Sequence, residues 1–256
     1  MARKYEKPPI DELIISAYFD PPLTGLRAEH IGLFWSEIRG DFPSVQQQPP
    51  TDGSFEAVPG EIFPLPRFWF VGTDDQNLLQ IQRGSFFCNW RRRDGKYPHF
   101  DSVKKSFDIY FDKFLRFYAE HVDAEPHSIK ACELTYVNLI DRNSGWNSSA
   151  DTRSILPHFD LADVSFSGAT LVNIKCQQTF RVADNLLVHA LVQPRTHAKT
   201  GEEVLYLELR AVGEPLGGAK GDADKWYDAA HEAIGSLFEA MTSDVARNEF
   251  WLPQEG

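Results

Sequence analysis

Apolar and polar positions along this chain change their period at recognisable points, and each change marks an element. Ile10 to Phe19 is a dense apolar run that stops at Asp20-Pro21-Pro22, which predicts a strand closed by proline. From Leu26 to Arg39 the positions Ile31, Phe34, Trp35 and Ile38 recur at helical spacing, and Gly40 and Pro43 end the predicted helix. Residues 40–66 hold six prolines, three glycines and Gln46-Gln47-Gln48, so they are expected to be the least structured stretch. A hairpin is predicted from about Arg67 to Arg91. Read as one strand, its second arm puts Leu79, Ile81, Phe87 and Asn89 on one face and Gln80, Gln82 and Trp90 on the other.

Ser102 to His121 is the clearest helix, because Val103, Phe107, Phe111, Phe114 and Tyr118 form one stripe. Ser102 is its candidate cap, although Lys105 stands where a capping box carries an acid or Gln. Ile129 to Asp141 alternates as a strand with Cys132, Leu134, Tyr136, Asn138 and Ile140 on one side. A stretch rich in Ser, Asn and Asp follows as the expected join between halves. Three strands come next, about 169–182, 186–194 and 203–212, the last two joined by a polar turn around Lys199-Thr200-Gly201. The helix starting at Asp222 is expected to bury Trp226, Ala230, Ala233, Leu237 and Met241.

Helices thus segregate from antiparallel strands, which predicts an α+β fold: antiparallel sheet built from hairpins, with about three long helices packed on one side. Phe70-Val71-Gly72-Thr73-Asp74-Asp75-Gln76-Asn77-Leu78-Leu79 is echoed by Phe180-Arg181-Val182-Ala183-Asp184-Asn185-Leu186-Leu187, each an apolar run turning at Asp and Asn. The echo suggests a duplication. The expected organisation is one domain, residues 1–256, in two packed halves: strand, helix, hairpin, helix and strand in 1–141, and a three-stranded meander with a terminal helix in 142–256.

A length of 256 residues with 42% hydrophobic content suits one large soluble domain or two intimately packed halves. No run approaches the apolar length of a membrane span, and the first residues lack the core of a signal peptide, so no membrane partner and a cytoplasmic location are expected. The isolated positions of Cys88, Cys132 and Cys176 agree, reading as buried reduced thiols. A formal net charge of -11 opposes general binding to nucleic acid. The local exception is Arg91, Arg92, Arg93, Lys96, Lys104 and Lys105, interleaved with Trp90, Tyr97 and Phe100. This end of the hairpin is either a solvated terminus whose arginines pair with the chain's own carboxylates, or a docking surface. Trp90, Arg91, Arg92, Arg93 and Lys96 are the candidate partner-binding residues, since Trp and Arg are enriched at the energetic centres of interfaces.

Pro8-Pro9-Ile10 with Glu12, the strand ending Asp20-Pro21-Pro22-Leu23, Leu79-Gln80-Ile81-Gln82 leading to Asn89, Tyr97-Pro98, and Leu134-Thr135-Tyr136-Val137-Asn138-Leu139-Ile140-Asp141 together carry a family pattern. With the closing stretch His231 to Trp251, including Phe238 and Thr242-Ser243-Asp244, the chain resembles the sporadically distributed bacterial TIGR04255 family, which has no assigned activity. The resemblance spans nearly the whole chain and implies a place in mobile or defence-linked gene neighbourhoods. It supplies no catalytic residue and emphasises Asn89 and Asn138.

Each of those amides sits on a strand face otherwise dominated by apolar residues, where an unsatisfied polar group costs about 1–3 kcal/mol. Each is therefore a structural clamp or a ligand contact. His121-Val122-Asp123-Ala124-Glu125-Pro126-His127 alternates metal-ligand types but lacks helical ligand spacing, and no metal is expected. His158, His189, His197 and His231 are scattered and read as surface or satisfied histidines. Gly217-Gly218-Ala219-Lys220-Gly221 fails as a phosphate loop because Gly221 stands where Ser or Thr would hold magnesium. Glu133 and Asp141 share a strand face, but spacing alone does not name an acid/base pair. No nucleophile elbow, Cys-x-x-Cys pair or dinucleotide fingerprint is present, and no cofactor is expected. The leading expectation is a non-enzymatic binding or adaptor protein whose partner is another protein, in a defence or toxin-neutralising module. The alternatives are a small-molecule binder with inward Asn residues, and an enzyme with an unrecognised site. A pocket containing Asn89 or Asn138 favours the small-molecule binder.

Overall fold

The computed structural model describes residues 3–50, 65–93, 96–123, 128–159, 175–197 and 200–254. The fold is α+β. Its strands are β1 (Ile10–Asp20), β2 (Ser44–Gln48), β3 (Arg67–Val71), β4 (Asn77–Gln82), β5 (Ser85–Arg91), β6 (Ser128–Ile140), β7 (Cys176–Ala183), β8 (Leu186–Thr196) and β9 (Glu203–Gly213). They form a nine-stranded antiparallel sheet in the order β2-β3-β4-β5-β1-β6-β9-β8-β7. The helices are α1 (Ala28–Ile38), α2 (Phe100–His121), the four-residue α3 (Thr152–Ile155) and α4 (Lys220–Met241). Among the described residues, no helix is long and apolar enough to cross a membrane.

The chain divides into two units that interleave in sequence. One comprises Met1–Glu12, Thr135–Val212 and Asp228–Gly256; the other comprises Leu13–Leu134 and Gly213–Tyr227. β1, β6 and α4 each contribute residues to both.

The core of the second unit follows from the aromatic stripe of α2. Phe107, Phe111 and Phe114 are buried and meet Phe86 of β5, while Phe34 of α1 meets Phe70, Phe114 and Phe117. α2 begins at Phe100 rather than Ser102. Its cap is His99 at φ 68, with no side-chain capping bond, so Ser102 lies inside the first turn. Lys104 of α2 reaches Asp108 at 2.8 Å and Asp224 at 2.7 Å, and Lys220 reaches the same two carboxylates at 3.2 Å. Lys220 therefore anchors the first turn of α4 instead of facing a phosphate.

Three expectations need correction. Residues 40–66 are not all loop: Ser44–Gln48 is an edge strand paired antiparallel with β3, Gln46 opposite Trp69. Backbone pairing there outweighs the polar composition; residues 51–64 lie outside the described residues. Next, the region after Asn77 is two strands, because the chain turns at Arg83-Gly84. Pairing Leu79 with Cys88 and Gln80 with Phe87 inverts the expected faces: Asn89 lies with Leu78 and Gln80, and Trp90 with Leu79 and Ile81. Finally, α4 buries Trp226, Tyr227, Ala230, Ile234 and Met241, leaving Ala233 and Leu237 half-buried.

β7 carries the second hairpin, with Ala183 opposite Leu186 and a register shift between Arg181 and Ala183. The expected beginning of that strand, 169–174, lies outside the described residues. β7 and β2 are the two ends of the sheet order.

Candidate functional site

Asn89 and Asn138 are equally buried, at 2% exposure each, and differ in what surrounds them. Asn89 Oδ1 accepts from Gln80 Nε2 at 2.8 Å. Gln80 Oε1 in turn accepts from Arg67 Nη1 at 2.8 Å and Trp69 Nε1 at 2.9 Å. The four side chains join β3, β4 and β5 into a continuous polar ladder, and burial lowers the Arg67 pKa.

Asn138 makes one hydrogen bond among the described residues, from Nδ2 to the Leu207 carbonyl of β9 at 3.1 Å. It also lines a cavity of about 70 Å³ in the first unit. Alternation along β6 aims Tyr136 and Asn138 to one side, and α4 supplies His231, Ile234, Phe238 and Glu239 at helical spacing. The N-terminal segment closes the site: Tyr5 bridges to Pro253, and Glu6 and Lys7 donate to the carbonyls of Leu252 and Trp251. Tyr136 Oη and His231 Nδ1 share a 2.9 Å hydrogen bond, with the rings stacked.

Tyr5 is the most informative wall residue. It is 7% exposed, its ring packs edge-on against Phe238 and Trp251, and its buried hydroxyl has no hydrogen-bond partner among the described residues. Burial is the main cause that raises its pKa; Glu239 and Asp244 raise it further, while Arg247 and Arg3 act against them. The phenol therefore stays protonated at neutral pH and presents an unused donor.

At the end of the first hairpin, Trp90 is 3% exposed and packs against Tyr97. Arg91 Nη2 and Arg93 Nε both reach the Asp75 carboxylate, at 2.7 and 2.6 Å. Arg92 is half-buried and Lys96 is exposed. The structure thus brings Arg91 and Arg93 together on Asp75.

A larger, polar cleft of about 250 Å³ lies in the second unit, lined by Asp41, Asp74, Asn77, Ser106 and Tyr110 among others. Its groups largely serve one another. Asp74 accepts from the backbone of Gln76 and Asn77, and burial together with the Asp41 hydrogen bond pushes the Tyr110 phenol up to about 12.

The remaining candidates have structural roles. Glu133 accepts from Tyr18 at 3.4 Å, and Asp141 caps the turn at Ser144 at 3.0 Å. Burial pushes the thiols of Cys88 and Cys132 up to about 12, and Cys176 is half-buried. His189 and His197 bond Thr179 and Thr200. Of the His121–His127 series, 124–127 lie outside the described residues, and no group of three potential metal ligands forms among those described. Nothing in the sequence singles out Tyr5, and His231 reads there as a surface or satisfied histidine; the signal that points to the site is Tyr136 and Asn138 sharing one strand face.

No family model and no curated protein matches this sequence. Among solved structures, the di-domain ARO/CYC StfQ from the steffimycin biosynthetic pathway aligns over 94% of this chain and 97% of its own, at 10% identity and a TM-score of 0.19. A TM-score this low does not establish a shared fold.

Proposed function

We propose that this chain is a small-molecule-binding protein whose site is the cavity between the N-terminal segment, β6 and α4. The observation that carries the reading is the inward Asn138, whose amide makes one hydrogen bond among the described residues and lines a mainly apolar cavity beside the Tyr136–His231 pair. A buried amide offers more hydrogen-bonding capacity than that one bond uses, and a ligand on the cavity side supplies a partner for the rest. Water fills about 30 Å³ per molecule, so about 70 Å³ seats roughly two waters or one compact end of a ligand. The rest of such a ligand lies across the rim, where Arg3 is exposed and Glu239 half-buried.

The test is a panel of compact neutral, anionic and cationic fragments, followed by thermal shift and by the NMR signal of the Asn138 side-chain amide. At least one class is expected to bind saturably and raise the melting temperature by preferential binding to the folded state. Ile234→Phe, which fills the cavity from α4, is expected to abolish that response. If no class moves the Asn138 signal in the wild type, the reading fails.

A further inference from the structure

We infer that the ligand of this cavity is an uncharged alcohol, a hydroxyl on a compact apolar fragment, and that the hydroxyl donates to Asn138 Oδ1; this rests on the small-molecule reading above. The Leu207 carbonyl fixes how the Asn138 amide is turned. A carbonyl accepts only from a donor, so Nδ2 stands on the β9 side at 3.1 Å and Oδ1 is directed away from it. That oxygen accepts no hydrogen bond among the described residues. It is nevertheless not one of the polar atoms sealed from solvent without a partner, so it keeps accessible surface, and the space that Asn138 lines is the cavity. In a side chain only 2% exposed, this puts an open acceptor on the cavity wall. An acceptor calls for a donor, which a ketone, ester or ether lacks and a hydroxyl supplies. A simple amine also donates, but it is charged at neutral pH.

The rest of the wall selects for an uncharged, apolar body. Pro8, Ile10, Leu209, Ile234 and Phe238 give it an apolar lining, which rewards removal of apolar surface from water and penalises burial of an unpaired ion. Its permanent charges, Arg3 and Glu239, are of opposite sign, so the attraction of one for any ion is opposed by the other. Tyr136 and His231, the other polar side chains on β6 and α4, bond each other at 2.9 Å. Asn138 is therefore the group that gives the ligand its polar end.

Four probes separate the possibilities: 2-propanol, acetone and isopropylammonium, which match in size and shape, and xenon, which is apolar. Each is titrated into the full chain and followed by the NMR signals of the Asn138 amide and the Ile234 methyl groups. In the wild type 2-propanol is expected to bind saturably, about 3- to 10-fold more tightly than acetone, the usual effect of one hydrogen bond, and more tightly than isopropylammonium. Asn138→Leu keeps the shape of the side chain and removes the acceptor. It is expected to bind 2-propanol no better than acetone, and xenon at least as tightly as the wild type does. Acetone binding the wild type as tightly as 2-propanol overturns the inference, whether or not the variant folds, while saturable binding of either probe or of xenon preserves the small-molecule reading. An alcohol preference that survives in Asn138→Leu overturns the role of Oδ1, and isopropylammonium binding as tight as 2-propanol overturns the uncharged character. If no probe moves the cavity signals, this inference and the reading beneath it both fall.

Discussion

Asn89 and Asn138 are the same residue at the same burial, and they make opposite use of it. Around Asn89, every step of the ladder from Arg67 and Trp69 through Gln80 is a hydrogen bond within β3, β4 and β5. Around Asn138, one bond to Leu207 fixes the amide and a cavity takes the other side. Burial of an amide therefore does not mark a site. What marks it is hydrogen-bonding capacity left over after the fold has been satisfied, as on the cavity side of Asn138.

The contrast can be broken most sharply at Gln80, the hub of the ladder. Gln80→Leu removes the acceptor of Arg67 and Trp69 and the donor to Asn89, and is expected to cost about 3 kcal/mol, near the upper range for stranded buried polar groups. Urea unfolding checks this, and a loss under about 1 kcal/mol would mean that water replaces the amide freely. Asn89→Leu is expected to cost about 2 kcal/mol, and Asn138→Leu about 1 kcal/mol because a single carbonyl is stranded. If the order is reversed, Asn138 is the more important clamp and the distinction drawn here is wrong.

Tyr5→Phe acts in the opposite direction: it removes a buried hydroxyl that has no partner among the described residues and is expected to raise stability at pH 7 by up to about 1 kcal/mol. Its signature is in alkali. Burial, reinforced by Glu239, raises the folded pKa of Tyr5 above the ordinary tyrosine value of about 10, so its contribution is fully present below that pH and is lost as pH rises through the folded value. The stability difference between the two proteins is expected to be constant below about pH 9 and to widen above pH 10, the wild type falling faster. Parallel curves would show that the phenol is hydrated in the folded state.

Much of the fold was readable because periodicity is local. The α2 stripe from Val103 to Tyr118 and the alternation along β6 both reappear as buried faces. The faces around Asn89 were misread for an equally local reason: Arg83-Gly84 gives little turn signal inside an apolar stretch, and a missed turn inverts the parity of everything after it. The cavity was hidden for the opposite reason. Tyr5, Asn138, Leu209 and His231 come from four distant stretches of sequence, and only antiparallel pairing and the closing N-terminal segment bring them together. A buried hydroxyl without a partner leaves no trace in composition or spacing.

The ends of the sheet have a consequence for how copies of this chain behave in crowded solution. An open sheet terminates in strands whose outer backbone groups can template another chain. At one end stand the glutamines of β2, which keep that margin hydrated. At the other, Phe180 and Val182 are exposed on β7, a composition that invites edge-to-edge fibrils, but the register shift beside Arg181 interrupts the ladder and adds a charge where a flat template would be needed. That irregularity, one residue out of step, is expected to hinder such pairing.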